Sequence, residues 1–326
     1  MKVLVTGGAG YIGSHTVKKL VKKGYEVIVL DNLSKGHEEA VDKKAILIKD
    51  DLGNSEILND IFKKDKIDCV IHFAADSLVA ESMEKPSKYY TNNLVNSLNL
   101  LIIMLKNRVN NIIFSSTAAV YGNPKKMPIE EQDPCKPINP YGETKLLFEK
   151  KLLKYSELKI LNFISLRYFN AAGADDGADI GEDHDPETHL IPLILKSILE
   201  EKEFKIFGDD YPTRDGTCIR DYVHVNDLAD AHILAMEYLL KENKSDIFNL
   251  GCKRGYSIKE IVKVVEELTG KKVRYSITNR RKGDPPILIA DSTKINKLLG
   301  WKAKYNIKET IETAWDWHRT HPWGFK

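Results

Sequence analysis

Tyr141 and Lys145 stand four residues apart in Tyr141-Gly142-Glu143-Thr144-Lys145, a spacing that puts both side chains on one face of a helix. A free tyrosine ionises at about pH 10 and is a poor base at neutrality. A neighbouring ammonium favours the phenolate, and a second cation nearby lowers its pKa further. A drop of three units needs about 4 kcal/mol of differential stabilisation, within reach of two cations in a partly desolvated pocket. Thr117 follows the strand-like run Ile112–Ser115 at the mouth of a sheet, where its hydroxyl can hydrogen-bond a reacting alcohol. A trio of this kind removes a proton from a hydroxyl group. Alone the pair says little, because YxxxK recurs by chance on helix surfaces.

A second pattern gives the first its meaning. Gly8-Ala9-Gly10-Tyr11-Ile12-Gly13 reads GxGxxG, and Gly7, Gly10 and Gly13 also space as GxxGxxG. The run directly follows the strand Val3–Thr6 and opens a helix, the context in which such glycines let backbone N–H groups approach a pyrophosphate. Asp31 ends Val27-Ile28-Val29-Leu30, 18 positions after Gly13, since 31 − 13 = 18. An acid there accepts hydrogen bonds from the adenosine ribose and repels a 2′-phosphate, so the expected cofactor is NAD rather than NADP. Asp51 and Leu52, after the third strand, sit where adenine would lie. The oxidised nicotinamide would then be the second cation that the tyrosine needs.

The elements that must position these groups alternate. Strands are expected at Val3–Thr6, Glu26–Leu30, Ala45–Lys49, Cys69–Phe73, Ile112–Ser115 and Ile160–Arg167. Helices are expected at Ile12–Lys23, Glu56–Lys64, Tyr89–Lys106 and Tyr141–Tyr155. The fold class is therefore α/β, a doubly wound parallel sheet of Rossmann type. The alternation breaks after Ala171. Two later helices, Asn226–Lys241 and Ser257–Thr269, flank Ile247–Leu250, a strand expected to return to the first sheet. Residues 1–171 with 223–250 thus read as a cofactor domain, and 172–222 with 251–326 as a smaller, interleaved α/β substrate domain. Gly173–Glu187, acidic and glycine-rich with little periodicity, reads as a loop or an insertion, solvated around Asp183–His189. Asp183, His184, Asp185, Glu187 and His189 resemble a metal-binding set, but no helix or strand frames them and no metal is expected.

At 326 residues the chain is long enough for two domains, and 42% hydrophobic residues supply their cores. Lys and Arg total 49 against 47 Asp and Glu, a formal charge of +2. That balance removes any strong electrostatic pull toward nucleic acid or an anionic membrane. The basic run Arg280-Arg281-Lys282 needs a local reason. The longest apolar candidate, Leu94–Leu105, is broken by Asn96, Ser97 and Asn99, and a strand begins directly after Lys2, so neither a membrane span nor a signal peptide is expected. The four cysteines form no CxxC pair, and a reduced, cytoplasmic protein is the expectation.

Longer segments carry a resemblance. VTGGAGYIGSH (Val5–His15), LDNLS (Leu30–Ser34), VIHFAA (Val70–Ala75), FSSTAAVYG (Phe114–Gly122), YGETK (Tyr141–Lys145), LRYFNAAGA (Leu166–Ala174) and above all Ile206–His232 resemble the extended short-chain dehydrogenase/reductases. Within them the chain is similar to the UDP-glucose (UDP-galactose) 4-epimerases, almost end to end. The resemblance implies that Tyr141 takes the proton from the sugar 4-hydroxyl while NAD accepts hydride from C4, with Thr117 assisting and Lys145 holding the nicotinamide ribose. It adds Asn32, Phe73, Ala74, Ala75, Asn92 and Tyr168 to the cofactor contacts. It places the UDP-hexose on Asn170, His189, Leu190, Lys205, Phe207, Arg220, Arg281 and Asp284, with Arg220 and Arg281 the natural partners of the diphosphate, and it suggests a homodimer through the helices at Tyr89–Lys106 and Tyr141–Tyr155.

Two departures stand out: Ser77 where many relatives have Lys, and Leu288 where others have Tyr or a small residue. Epimerases of UDP-N-acetylhexosamines or UDP-uronates share this chemistry. A 4,6-dehydratase would carry Asp-Glu after the threonine, where this chain has Ala118-Ala119. A non-catalytic NAD sensor would be expected to lose Tyr, Lys or Thr.

Overall fold

In this computed structural model residues 1–281 and 284–325 are described; Lys282 of the basic run, with Gly283, lies outside them. The strands in chain order are β1 (Lys2–Thr6), β2 (Glu26–Asp31), β3 (Ile46–Lys49), β4 (Cys69–His72), β5 (Asn111–Ser115), β6 (Asn162–Tyr168), β7 (Asn170–Ala172), β8 (Phe204–Phe207), β9 (Ile219–His224), β10 (Asp246–Leu250), β11 (Gly255–Ser257), β12 (Tyr275–Thr278) and β13 (Ile287–Leu288). Seven of them form one parallel sheet in the order β10-β6-β5-β4-β1-β2-β3. The fold is the doubly wound α/β arrangement expected.

A parallel sheet is covered by helices on both faces, so its strands are apolar throughout. Val3 and Val5 pack on one face with Leu20, Leu228 and Met236, while Leu4 packs on the other with Leu58, Met104 and Phe148. The expected strands fall within two residues of the observed ones, and β10 does return to the sheet, beside β6. Its preceding helix, Val225–Glu242, packs on the helix Tyr11–Lys22.

The smaller layer centres on β9, which pairs with β7 and β13 in parallel and with β11 antiparallel; β8 and β12 form a separate pair. These strands have two to six residues, mostly too short for an alternating pattern to show. Two helices that sequence spacing did not single out, Leu190–Leu199 and Ile307–Thr320, complete this layer; the second begins with a capping box between Asn306 and Glu309. No helix among the described residues is long and apolar enough to cross a membrane.

The stretch expected as one helix, Tyr89–Lys106, is helical throughout but not uniform. An α turn at Pro86–Tyr89 passes into a π segment, Tyr90–Val95, before the α-helix Asn96–Lys106. In the π segment Asn93 exchanges two 2.8 Å hydrogen bonds with the Asp76 backbone, and Asn92 Nδ2 donates to Asp76 Oδ2 at 2.9 Å. Neighbouring amides thereby serve the same acid from two sides, the kind of local use for which π segments are retained at sites.

Beneath the sheet's end lies a buried ion pair. Arg167 of β6 donates through Nη2 and Nε to Glu149 at 2.6 and 3.0 Å, and Glu149 also accepts from Ser165 Oγ at 2.8 Å. Arg167 Nη1 reaches the Tyr121 hydroxyl at 2.9 Å. Removing one partner strands a buried charge, which costs about 3–5 kcal/mol. Arg167→Leu should therefore lower the thermal midpoint by many degrees, while Arg167→Leu combined with Glu149→Leu should recover part of the loss. Equal melting of the single variant and the parent would show that the pair carries no stability.

Candidate active site

The glycine turn after β1 is closed against its neighbours. Gly7 has φ +72°, and a Cβ there would lie 2.5 Å from Ala74 N; a Cβ on Gly13 would lie 2.1 Å from Gly7 O. Gly10 is different, with only Gly7 O at 3.4 Å beside the place of its missing Cβ. It is the N-cap of Tyr11–Lys22 and offers no side-chain cap, so the first N–H groups of that helix are left for an anion. Asp31 braces the turn: Oδ2 accepts from Ala9 N and Oδ1 from Leu33 N, both at 2.9 Å. Burial pushes its pKa up, the two amide bonds opposing, and each oxygen keeps a lone pair for a ribose hydroxyl. Phe73 and Ala74 donate backbone N–H groups to Thr6 O, Ala75 follows them, and Asn32 Nδ2 reaches Asp51 Oδ2 at 2.7 Å beside buried Leu52. The residues present fit a dinucleotide.

Asn32 also lines a groove with Ser34, Lys35, Asp76, Ser87, Lys88, Thr91 and Asn92. Lys88 Nζ lies 2.9 Å from Asp76 Oδ1 and 3.1 Å from Glu81 Oε2. Lys88 thus brings an ammonium to this groove. Neither Asp76 nor Lys88 was singled out from the sequence. In the fold they line this groove together with Asn32, Ser34 and Lys35 of the loop after β2.

The reaction trio comes together in a dry setting: Thr117, Tyr141 and Lys145 are 8%, 7% and 3% exposed. Asn139 caps the helix Pro140–Glu157 by accepting from Gly142 N at 2.8 Å, and Pro140 starts it. Gly142 has a packing reason, since a Cβ there would stand 2.5 Å from Ala119 O. The glycine lets the helix start touch the Thr117 turn. Tyr168 flanks the site, its hydroxyl 2.7 Å from Ser115 Oγ.

Lys145 Nζ donates to Ser115 O at 2.8 Å and lies 4.9 Å over the Phe114 ring. Burial raises the Tyr141 pKa, with Thr117 pulling the other way. Burial also lowers Lys145 to about 7, against the favourable charge of Glu149.

On the nucleotide-sugar side the expected residues are placed unequally. Asn170 Nδ2 donates to Asp221 O at 3.0 Å. Arg220 is ion-paired with Asp284 and is not a free cation. The Arg281 guanidinium stacks 4.0 Å from the Phe207 ring centre, while Lys205, also on β8, is exposed. Leu288 lies opposite Arg220 in the sheet and packs with the cluster containing Ala118 and Phe169. His189 stands at the N-terminal boundary of the helix that begins at Leu190 without capping it by its side chain, and its Nδ1 is turned to Glu182 and Glu187 at 2.8 and 3.0 Å. The acidic loop is therefore not a solvated run, as its composition suggested. Trp317 Nε1 donates to Glu182 O at 3.3 Å, and Asp183 accepts from Phe325 N at 2.9 Å.

Residues 3–251 match the NAD dependent epimerase/dehydratase family. The chain belongs to that family. It is 53% identical to a UDP-glucose 4-epimerase of Lactobacillus helveticus, over all of this chain and 99% of the relative. Among solved structures, UDP-glucose 4-epimerase from Brucella ovis in complex with NAD superposes with a TM-score of 0.93 at 46% identity, covering 97% of each chain. The enzyme from Bifidobacterium longum in complex with NAD+ and UDP gives 0.94 at 39% identity over the full length of both.

For a member of this family, the burial of Lys145 makes a measurable prediction. Its folded pKa, about 7, is below the ordinary lysine value of about 10.4. Between those values the unfolded chain holds a proton that the folded chain lacks, so stability rises with pH across this window. Lys145→Met should flatten that rise and melt higher than the parent at pH 6.5, both stripped of nucleotide. A variant that melts lower at pH 6.5, or keeps the same slope, would mean that the ammonium is not destabilised by burial.

Proposed function

We propose that this chain is an NAD-dependent UDP-glucose 4-epimerase, interconverting UDP-galactose and UDP-glucose through a 4-ketose. The carrying observation is the buried convergence of Thr117, Tyr141 and Lys145 beside the Gly7, Gly13 and Asp31 cradle, with Ala118 and Ala119 next to Thr117. An elimination across C5 and C6 needs an acid and a base there, and two methyl groups supply neither. The similarity to UDP-glucose 4-epimerases along the full length supports the same reading.

Tyr141 takes the proton of the sugar 4-hydroxyl, Thr117 hydrogen-bonds the same oxygen, and Lys145 holds the nicotinamide ribose. Bound NAD supplies the hydride acceptor and a positive charge beside Tyr141, both regained when hydride returns to the opposite face of C4. Tyr141 is then acid in one half of the cycle and base in the other. Gly7, Gly10 and Gly13 with the N–H groups of Tyr11 and Ile12 hold the pyrophosphate, and Asp31 the adenosine ribose. Asn32, Asp51, Leu52, Phe73, Ala74, Ala75, Asn92 and Tyr168 complete that side, with Lys88 standing in for the absent lysine at Ser77.

Residues 1–171 and 223–250 carry the cofactor, and 172–222 and 251–326 the nucleotide sugar. Arg220, aimed by Asp284, and Arg281 take the diphosphate, since guanidinium groups pair bidentately with phosphate oxygens. Asn170, His189, Leu190, Lys205 and Phe207 complete the substrate side. UDP-N-acetylhexosamine is the second reading, favoured by Leu288, which is shorter than the tyrosine found in some relatives. Four free cysteines suit a reducing cytoplasm.

Purified protein incubated with UDP-galactose and no added cofactor should yield UDP-glucose. Tyr141→Phe should slow this by about 10²–10⁴-fold, the usual worth of a positioned acid–base group. A 4-keto-6-deoxy product would overturn the epimerase reading. No product even with NAD added would reject UDP-galactose, and UDP-N-acetylgalactosamine would be the substrate to try.

The assembly proposed is a homodimer. Val95 and Ile102, seven residues apart on one helical stripe, are exposed, as is Leu153 on the helix Pro140–Glu157. Burying these stripes across a two-fold axis would make a four-helix interface. Light scattering at micromolar concentration should report a dimer, and Val95→Glu with Ile102→Glu a monomer. A monomeric parent would dismiss the interface.

A further inference from the structure

Outside the reaction centre, one other set of ligating side chains converges among the described residues. Glu182, His184, Glu187 and His189 each offer one atom, and the four atoms lie within 4.8 Å of one another. His189 Nδ1 is 2.8 Å from Glu182 Oε1 and 3.0 Å from Glu187 Oε1. His184 Nδ1 is 3.2 Å from Glu182 Oε1 and 3.9 Å from Glu187 Oε2. Donors around a four-coordinate zinc, with bonds of about 2.0–2.1 Å, stand about 3.3 Å apart. The observed separations bracket that edge length.

Hydrogen bonding alone does not satisfy the cluster. A proton on His189 serves Glu182 and one oxygen of Glu187. It leaves Glu187 Oε2 buried with no hydrogen-bond partner, and His184 Nδ1 with only the misaligned 3.2 Å contact to Glu182 Oε1. The carboxylates concerned are deeply buried, Glu182 and Glu187 having side chains only 4% and 5% exposed. Each buried polar group left unpaired is destabilising. A cation held by all four residues uses both orphaned atoms.

We propose that Glu182, His184, Glu187 and His189 form a binding site for a divalent transition metal, with zinc the ion that two imidazoles and two carboxylates fit. Four protein ligands close a tetrahedral zinc site, so its role is structural. The ion takes no part in hydride or proton transfer. It sets the shape of the loop that joins the two halves of the cleft. At one end the Tyr11 hydroxyl donates to Gly173 O at 2.6 Å, and its ring meets His184 edge-on at 6.2 Å. At the other end His189 stands at the N-terminal boundary of the helix starting at Leu190. The metal would therefore tie the glycine turn's Tyr11 to the start of a substrate-side helix.

Untagged, full-length protein produced in zinc-supplemented medium and dialysed should hold about one zinc per chain by mass spectrometry. His184→Ala with Glu187→Gln should retain less than a tenth of that. EDTA should lower the thermal midpoint of the parent, ZnCl2 should restore it, and neither should move the variant. If the variant does not fold, Co2+-loaded parent provides the check, with four-coordinate d–d bands and no thiolate charge-transfer band. Parent protein without zinc whose melting ignores ZnCl2 would overturn the site. So would zinc retained undiminished in a folded variant, or a thiolate band in the cobalt spectrum.

Discussion

The burial of one ammonium organises this molecule's reaction centre. Lys145 is held among apolar groups with a single carbonyl partner, Ser115 O, and such a charge is tolerable only with compensation nearby. Glu149, one helical turn on, supplies it and is itself matched by Arg167 on β6. Arg167 reaches Tyr121, whose hydroxyl donates to Asn249 of β10 at 2.7 Å. Asn249 in turn donates to Ile129 O at 3.0 Å. The compensation thus runs from the helix bearing Tyr141 across two strands, the second of which enters the sheet only after the chain has laid down β7, β8 and β9 of the smaller layer. Interleaving is not incidental to this site, because the last sheet strand completes the polar chain under it.

Much of the frame was legible because its signals are local. β-branched runs, helical spacing and a glycine turn of fixed pattern each declare themselves within a dozen residues. Asp31 could be found because its distance from Gly13 is set by one helix and one strand. The polar support was not legible. Glu149 lies on a helix full of lysines and glutamates, and nothing in its neighbours separates a buried acid from a solvated one. Its partner Arg167 sits in a largely buried strand, a signal that something must neutralise it, but not what. Lys88 was hidden for a different reason: it lies in the short turn Pro86–Tyr89, ahead of the helix that spacing marked, and its partners Asp76 and Glu81 come from the preceding loop and helix. The strands around β9 are too short for periodicity, and their pairing comes from contacts far along the chain.

The acidic loop shows the opposite failure, in which a sound local rule was applied to the wrong environment. Aspartates, glycines and histidines without periodicity usually lie in water. Here Gly181 approaches the Trp317 ring so closely that a Cβ would stand 2.3 Å from it, and the loop is drawn inward by a helix more than a hundred residues later. Charge composition describes a segment's cost of burial. It does not say whether a distant apolar surface will impose that cost.

The raised pKa of Tyr141 has a consequence for the proposed chemistry. A base made strong by fixed charges of the protein would be just as strong after the sugar is oxidised, when the same group must return a proton. In this site burial favours the phenol, outweighing the Thr117 hydrogen bond. The phenolate then depends on charge that arrives with the oxidised cofactor and leaves with the hydride. Proton affinity and hydride position become coupled, and each direction of the reaction starts with the tyrosine in the protonation state that it needs. An enzyme whose product is the epimer of its substrate requires that symmetry more than it requires a strong base.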